Sequence, residues 1–271
     1  MARRARVDVE LVRRGLARSR RQAAELIGAG RVSIDGMPAA KAATAIPVTA
    51  NLTVDSGERG WVSRGAHKLI GALDVFGAFG LAIDGKRCLD AGASTGGFTE
   101  VLLDRGAREV VAVDVGYGQL AWSLRSDPRV VVVERTNVRD LAPGAIGGPV
   151  DVVVADLSFI SLATVLPALT ACASPDADIV LMVKPQFEVG KDRVGPGGVV
   201  HDPKLRAHAV LAVARRAEGL GWHTLDVTAS PLPGPSGNVE YFLWLRSRTD
   251  RRLSGDEIER VVACAVAEGP Q

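Results

Sequence analysis

Val7, Leu11, Val12 and Leu16 recur at helical spacing, and after Ser19, a residue suited to capping, Ala23, Leu26 and Ile27 repeat the pattern. Two short helices packed on one another are predicted. Gly28-Ala-Gly30 ends the second, residues 31–34 alternate like a strand, Asp35-Gly36 reads as a tight turn, and residues 46–54 supply further short strands. A polar, glycine-containing join follows over 55–60, and a new helix sets in after Trp61. Beyond it apolar runs alternate with amphipathic ones. Strands are predicted near 87–90, 110–114, 130–134, 151–156 and 178–184, with helices over 98–105, 118–125, 162–172 and 203–219. Strands 223–229 and 239–246 are separated only by a proline-rich stretch, and a last helix spans 251–268.

Such alternation of strand and helix predicts a mostly parallel sheet with helices on both faces. The last two strands lack an intervening helix and must pair antiparallel. The fold class is therefore α/β, a Rossmann-like sheet of seven strands with one reversed, preceded by a small α+β module. We divide the chain at 1–58 (the module), 59–63 (linker), 64–250 (the large domain) and 251–271 (C-terminal helix and tail).

The first strand-to-helix turn of the large domain, Asp90-Ala-Gly-Ala-Ser-Thr-Gly-Gly-Phe-Thr99, carries three glycines. They let backbone approach a ligand, and the following helix turns free N–H groups toward it. Gly92, Gly96 and Gly97 are spaced G-x-x-x-G-G and not G-x-G-x-x-G, so no pyrophosphate cradle is indicated. Asp90 is expected at an exposed strand tip, and Asp114 at the end of the next strand, where a carboxylate can accept both hydroxyls of a ribose. S-adenosylmethionine fits this set better than a nicotinamide cofactor; the alternative is a doubly wound protein whose glycines serve packing alone. The candidate cofactor contacts are Asp90, Gly92, Ser94, Thr95, Gly96, Gly97 and Phe98 at the methionine end, Asp114 at the ribose, Asn137 or its neighbour Val138 at the adenine, and Asp156 near the methyl group.

The 271 residues suffice for one sizeable core and a small extra domain, and the 47 % hydrophobic content supports packed layers. No apolar run approaches the roughly 18 residues of a membrane span, and the start offers no apolar signal core. Stable membrane insertion is not expected, and Cys88, Cys172 and Cys264, odd and scattered, read as core residues in a reducing, cytoplasmic compartment. Residues 1–58 hold ten Arg/Lys against six Asp/Glu, a balance of +4 that leaves −2 for the rest. Nine arginines lie within the first 31 residues, and such clustering favours a nucleic-acid surface over a merely solvated face.

Three polar residues stand at ends of apolar strands: Asp156 after Val-Val-Val-Ala, Lys184 after Ile-Val-Leu-Met-Val, and Glu240 opening Val-Glu-Tyr-Phe-Leu-Trp. The carboxyl ends of parallel strands border the ligand crevice, and reversal of the last strand brings its beginning to the same edge. Lys68, on the helix entering the domain, is the fourth candidate. Lys184, following five apolar residues, is expected to be desolvated beside a second cation, Lys68, and to act as base or hydroxyl-orienting group with Asp156 as its partner. Lys68 and Glu240 are expected to orient the acceptor. An amino-group methyltransferase would show Asp/Asn-Pro-Pro-Tyr/Phe where this chain has Asp156-Leu-Ser-Phe159, and a carbon-5 enzyme would need a cysteine nucleophile, whereas Cys172 falls late on a helix. His67, His201, His208 and His223 lack metal-ligand spacing, so no metal is expected. The segment Arg59-Gly-Trp-Val62, directly before Lys68, is a candidate reporter of RNA docking.

Two resemblances sharpen this reading. Arg6, Asp8, Leu11, Gly15, Ser19, Arg20, Ala23, Ile27, Gly30, Val32, Asp35 and Gly36 stand in a pattern similar to the αL RNA-binding domain of ribosomal proteins and pseudouridine synthases. Lys68, Asp156, Lys184 and Glu240 resemble the K-D-K-E tetrad of ribose 2′-O-methyltransferases, and residues 4–248 together resemble the TlyA, or haemolysin A, family of bacterial rRNA cytidine 2′-O-methyltransferases. The 27 arginines against 6 lysines fit an actinobacterial member. The resemblance implies S-adenosylmethionine as methyl donor, a cytidine ribose in rRNA of the 30S subunit, the 50S subunit or both as acceptor, and an influence on susceptibility to ribosome-binding cyclic peptide antibiotics. RNA contacts are then expected at Arg4, Arg6, Arg18, Arg20, Lys41, Arg64 and His67. Two rival readings remain: a non-catalytic ribosome-assembly factor and a membrane-active haemolysin, the latter poorly served by a first helix with so few apolar residues.

Overall fold

The computed structural model describes residues 4–17, 19–54 and 60–270, and the chain divides into two compact units, 1–60 and 61–271. In the first unit, β1 (Arg4–Arg6) leads into α1 (Val7–Arg13), followed by α2 (Arg20–Gly28), β2 (Val32–Ile34), β3 (Met37–Pro38), β4 (Ala45–Pro47) and β5 (Leu52–Val54). β1 pairs antiparallel with β4, and β2 lies between β3 and β5. Val7, Leu11, Ala23, Ile27, Val32, Ile46 and Leu52 form the core. Ser19 caps α2 by accepting from the Gln22 N–H. The first helix stops sooner than its periodicity suggests: Gly15 adopts φ +71°, and Leu16, expected on the buried face, is 37 % exposed.

The second unit opens with α3 (Gly65–Gly77), then runs β6 (Arg87–Ala91), α4 (Gly97–Asp104), β7 (Glu109–Val113), α5 (Trp122–Arg125), β8 (Val130–Val133), β9 (Val150–Ala155), α6 (Leu162–Cys172) and β10 (Ala173–Val183). The chain continues through α7 (Pro185–Glu188), α8 (Pro203–Glu218), β11 (His223–Ala229), β12 (Tyr241–Arg246) and α9 (Gly255–Glu268). The seven strands are ordered β11-β12-β10-β9-β6-β7-β8, with β12 antiparallel to both neighbours and the β6–β10 set parallel. This is the α/β fold of class I methyltransferases. Several of its strands, β7, β9 and β10 among them, carry Val/Ile/Leu runs because helices cover both faces, and two apolar clusters fill the layers above and below the sheet.

Several boundaries differ from the periodicity. The helix expected over 118–125 forms only at α5, since Gly118 sits at φ +68° and the preceding residues stay in loop conformation. β10 begins at Ala173, with a register shift before Asp178, and β12 begins two residues later than expected. α9 starts at Gly255 because Ser254 and Glu257 form a reciprocal capping box. Cys88 and Cys172 are buried, but Cys264 is exposed on α9 and is not a core residue.

Candidate active site

The order of the sheet reverses direction between β6 and β9, and there the chain opens a crevice at the carboxyl edge. Lys68 lies in the first turn of α3, Asp156 directly follows β9, Lys184 directly follows β10, and Glu240 directly precedes β12. Each backbone is thereby fixed by a regular element while the side chain is free to reach the opening. All four line one cleft of about 270 Å³. Lys68 Nζ donates to Glu240 Oε2 at 2.5 Å, and both side chains are almost fully buried, 6 % and 1 % exposed. Lys184 Nζ ion-pairs with Asp156 Oδ1 at 2.6 Å, off the line of a hydrogen bond, and donates to Ser158 Oγ at 3.0 Å. Lys184 is as buried as expected, but each lysine has its own carboxylate where sequence position had suggested two neighbouring cations.

The glycine-rich turn is built by close packing. Gly92 has φ +89°, and a Cβ there would lie 2.5 Å from the Asp156 carbonyl oxygen. A Cβ on Gly97 would collide with Ser63 and come within 3.1 Å of the Ala66 amide. Gly96 caps α4 in the left-handed region, under Leu120 and Leu124. These glycines are therefore required by the protein's own contacts, whatever further freedom they give a ligand. Gly92, Ser94, Thr95, Gly97 and Phe98 line the cleft; Gly96 is buried behind it.

Asp90 corrects the sequence reading. It is fully buried inside β6, not exposed at the tip, because the strand runs on to Ala91 and α4 closes over it. Its Oδ2 accepts from Thr99 Oγ1 at 2.6 Å and its Oδ1 has no partner. Burial pushes its carboxyl up to about 7, with Asp156 and Asp114 adding to the rise and the Thr99 bonds opposing it.

A second cleft of about 520 Å³ adjoins the first and shares Gly92, Ser94, Asp156 and Ser158 with it. Its volume lies in the range of roughly 300–1,000 Å³ usual for small-molecule sites. Asp114 stands at its edge, one oxygen accepting from the Ser94 N–H at 2.8 Å and the other from the Gly116 N–H at 2.7 Å. Each oxygen keeps a lone pair for a diol. Asn137 lines the same cleft, but its side-chain oxygen is taken by the Arg139 N–H, so Asn137 and Val138 offer mainly backbone and shape. An acid able to hold a diol at one end, and an apolar wall of Leu157, Ile160 and Val165 beside it, fit the nucleoside part of S-adenosylmethionine.

Three residues escaped the sequence reading. Ser158 touches Lys184, Ser63 lines the first cleft, and Glu188 accepts from Ser161 Oγ at 2.6 Å and from the Leu162 N–H at 2.8 Å. Burial raises the Glu188 carboxyl, and its two bonds tie the segment after Lys184 to the segment after Asp156. A signal existed only for Ser158 and Glu188, which share strand-end motifs with Asp156 and Lys184.

Among the expected RNA contacts, Arg4 is exposed and donates to the Ala45 carbonyl at 2.7 Å. Arg6 and Arg20 are exposed but both clasp Asp8, at 3.0 and 2.9 Å. The Arg6 hydrogen bonds, followed by those of Arg20, hold the Asp8 carboxyl down at about 2 against its burial. Lys41 is exposed, Arg64 is exposed at the mouth of the first cleft, and His67 is half-buried outside it. Arg18 and Arg59 lie outside the described residues. Trp61 packs on the core beside α3, and the Val62 N–H donates to Glu100 at 2.8 Å. Among the described residues no group of His, Cys, Asp or Glu could hold a metal ion, and no helix is long and apolar enough to cross a membrane.

Comparison with known proteins identifies the family. Residues 61–247 match the FtsJ-like methyltransferase family and residues 5–54 match the S4 domain. The chain is 75 % identical to the 16S/23S rRNA (cytidine-2′-O)-methyltransferase TlyA of Mycobacterium tuberculosis over the whole of both chains. It is 36 % identical to Hemolysin A of Brachyspira hyodysenteriae, over 87 % of this chain and 97 % of that one. A solved structure described as a hemolysin from Streptococcus thermophilus superposes with a TM-score of 0.72 at 36 % identity, covering 99 % and 98 % of the two chains. With a family model across the whole large domain and a full-length relative at 75 % identity, the chain belongs to the TlyA branch of the FtsJ-like methyltransferases.

Proposed function

We propose that this protein transfers the methyl group of S-adenosylmethionine to the ribose 2′-hydroxyl of a cytidine in ribosomal RNA, within the 30S subunit, the 50S subunit or both. The observation that carries the reading is the convergence of Lys68, Asp156, Lys184 and Glu240 on one cleft as two lysine–carboxylate pairs, beside a second cleft suited to a nucleoside. When bound, the cofactor supplies an electrophilic methyl on a sulfonium. The chain's own residues must then hold a poorly acidic hydroxyl in line and manage its proton. Asp156 and Ser158 fix the Lys184 amine, whose remaining valence faces the acceptor oxygen as base or orienting donor. The Lys68–Glu240 pair positions the nucleotide from the opposite wall. Holding oxygen, methyl and sulfur in line supplies several kcal/mol, up to roughly 7–11 in the best cases.

Asp114 takes the cofactor ribose, Asn137 and Val138 border the adenine, Ser94, Thr95, Gly97 and Phe98 the methionine end, and Asp90 supports that turn from below. Residues 1–58 grip rRNA phosphates through Arg4, Arg6, Arg18, Arg20 and Lys41, residues 59–63 link, and residues 64–250 extract and methylate one nucleotide, with Arg64 and His67 near the crevice. The work is cytoplasmic, and the mark alters susceptibility to ribosome-binding cyclic peptides. The test is transfer of labelled methyl to purified 30S and 50S subunits by wild type and Lys184→Ala, with the product mapped by resistance to alkaline cleavage. Alkali-resistant, Lys184-dependent product is expected, with turnover falling at least a hundredfold and cofactor affinity nearly unchanged; cofactor binding with no transfer to either subunit would favour an assembly factor.

A further inference from the structure

Beyond the two clefts lies a third cavity of about 530 Å³, and Phe159 and Ile160 line both it and the cofactor-sized cleft. Phe187, Gln186 and Lys191 form the rest of the wall that matters here, and among the described residues no carboxylate lines it. Phe159 is 91 % exposed and sits at φ +64°, a strained conformation for a side chain with a Cβ. Burial cannot be the reason for it. Its ring meets Phe187 with centroids 5.3 Å apart and planes at 49°, leaving aromatic surface toward the cavity. The Gln186 side-chain oxygen is buried without a partner.

The two rings stand on segments that are tied together. Phe159 stands three residues after Asp156, Phe187 three after Lys184, and Glu188 bonds one segment to the other through Ser161 and Leu162. An aromatic wall, a primary amide and a cation, with no acid, suit a flat heteroaromatic ring carrying hydrogen-bonding edges and joined to a phosphate. On the proposed function above, the acceptor ribose must reach Lys184 in the first cleft and the cofactor adenosine must reach Asp114 in the second, and neither residue lines the third cavity. Accordingly, we infer that the third cavity binds the nucleobase adjacent to the methylated nucleotide, with Phe187 as its stacking surface and Lys191 at its phosphate.

The inference rests on the rRNA methyltransferase reading and is tested separately from it. Steady-state methylation of ribosomal subunits is compared for wild type, Phe187→Ala, Phe187→Tyr and Lys191→Glu, and p-benzoylphenylalanine placed at position 187 is photocrosslinked to the substrate. Phe187→Ala should raise KM for the subunit about tenfold with cofactor affinity unchanged, and Phe187→Tyr should restore it. The crosslink should map within two nucleotides of the alkali-resistant position. Unaltered subunit KM in both Phe187→Ala and Lys191→Glu, or a crosslink to a distant nucleotide or to ribosomal protein, overturns the subsite while leaving the methyl transfer intact. Absence of methylation by wild type overturns both.

Discussion

The Lys68–Glu240 pair allows stability and catalysis to be separated by experiment. Its partners are 172 positions apart in sequence, lie 2.5 Å from one another, and are 6 % and 1 % exposed. Removing one member of a buried pair strands a charge and typically costs about 3–5 kcal/mol, whereas removing both often costs little. Lys68→Met should therefore destabilise the large domain by about 3–5 kcal/mol, lowering Tm on the order of 6–20 °C for a domain of this size. Glu240→Gln should cost less, because the Lys68 ammonium can draw water from the cleft it borders. The Lys68→Met/Glu240→Gln double variant should recover most of the loss, giving a coupling energy of about 2 kcal/mol or more. Methyl transfer should not recover with it, since neither replacement can position a nucleotide by charge. Urea unfolding read by tryptophan fluorescence gives the first quantity and labelled-methyl transfer to ribosomal subunits the second. Equal stability of all four proteins would refute the reasoning, because it would show the pair to be solvated in solution.

Three further outcomes follow from the geometry. Asp90 has its folded carboxyl raised from 3.8 to about 7 by burial, so the folded state holds the proton more tightly than the unfolded one; its contribution must fall as pH rises from about 4 to about 7, with a slope of up to about 1.4 kcal/mol per pH unit, and Asp90→Asn should flatten that part of the urea stability profile. Gly92→Ala forces a Cβ to 2.5 Å from the Asp156 carbonyl oxygen at φ +89°, and should cost about 2 kcal/mol or more while weakening cofactor binding by calorimetry at least tenfold; ordinary binding would mean the turn relaxes freely. Lys41→Glu should weaken rRNA binding and flatten its salt dependence without altering Tm, whereas a double reversal at Arg18 and Arg20, which should also weaken RNA binding, sets Arg20→Glu against Asp8 and mixes folding with binding.

The sheet was legible because its central strands are almost wholly buried and so read as apolar runs, and because the missing helix before β12 dictates an antiparallel return. The same return is what brings Glu240 to the edge shared by Asp156 and Lys184. Short elements were not legible: α5 and α7 have four residues each, too few to display a period, and β1 has three. Asp90 was misplaced because an acid closing an apolar run looks the same whether the strand stops before it or continues past it. Pairings were also out of reach, since the bond between Lys68 and Glu240 depends on how α3 lies over the sheet, and the strut from Glu188 to Ser161 depends on how the four-residue α7 meets the loop after β9.

Charge division ties the two units to one task. The four side chains of the tetrad sum to zero, so the cleft's charge toward a phosphate comes down to the single Arg64 at its mouth. Residues 59–271 carry −2, whereas residues 1–58 carry +4. A polyanion approaching the large domain alone meets a weakly repulsive field, and attraction must come from the small one. Within that small unit Asp8 and Glu10 hold Arg6, Arg20, Arg13 and Arg14 in ion pairs, which on the proposed function trades net positive charge for guanidinium groups ordered in advance of RNA. On the proposed function, this charge division puts affinity in one unit and chemistry in the other, and two ion pairs can be buried in the cleft without having to grip RNA as well.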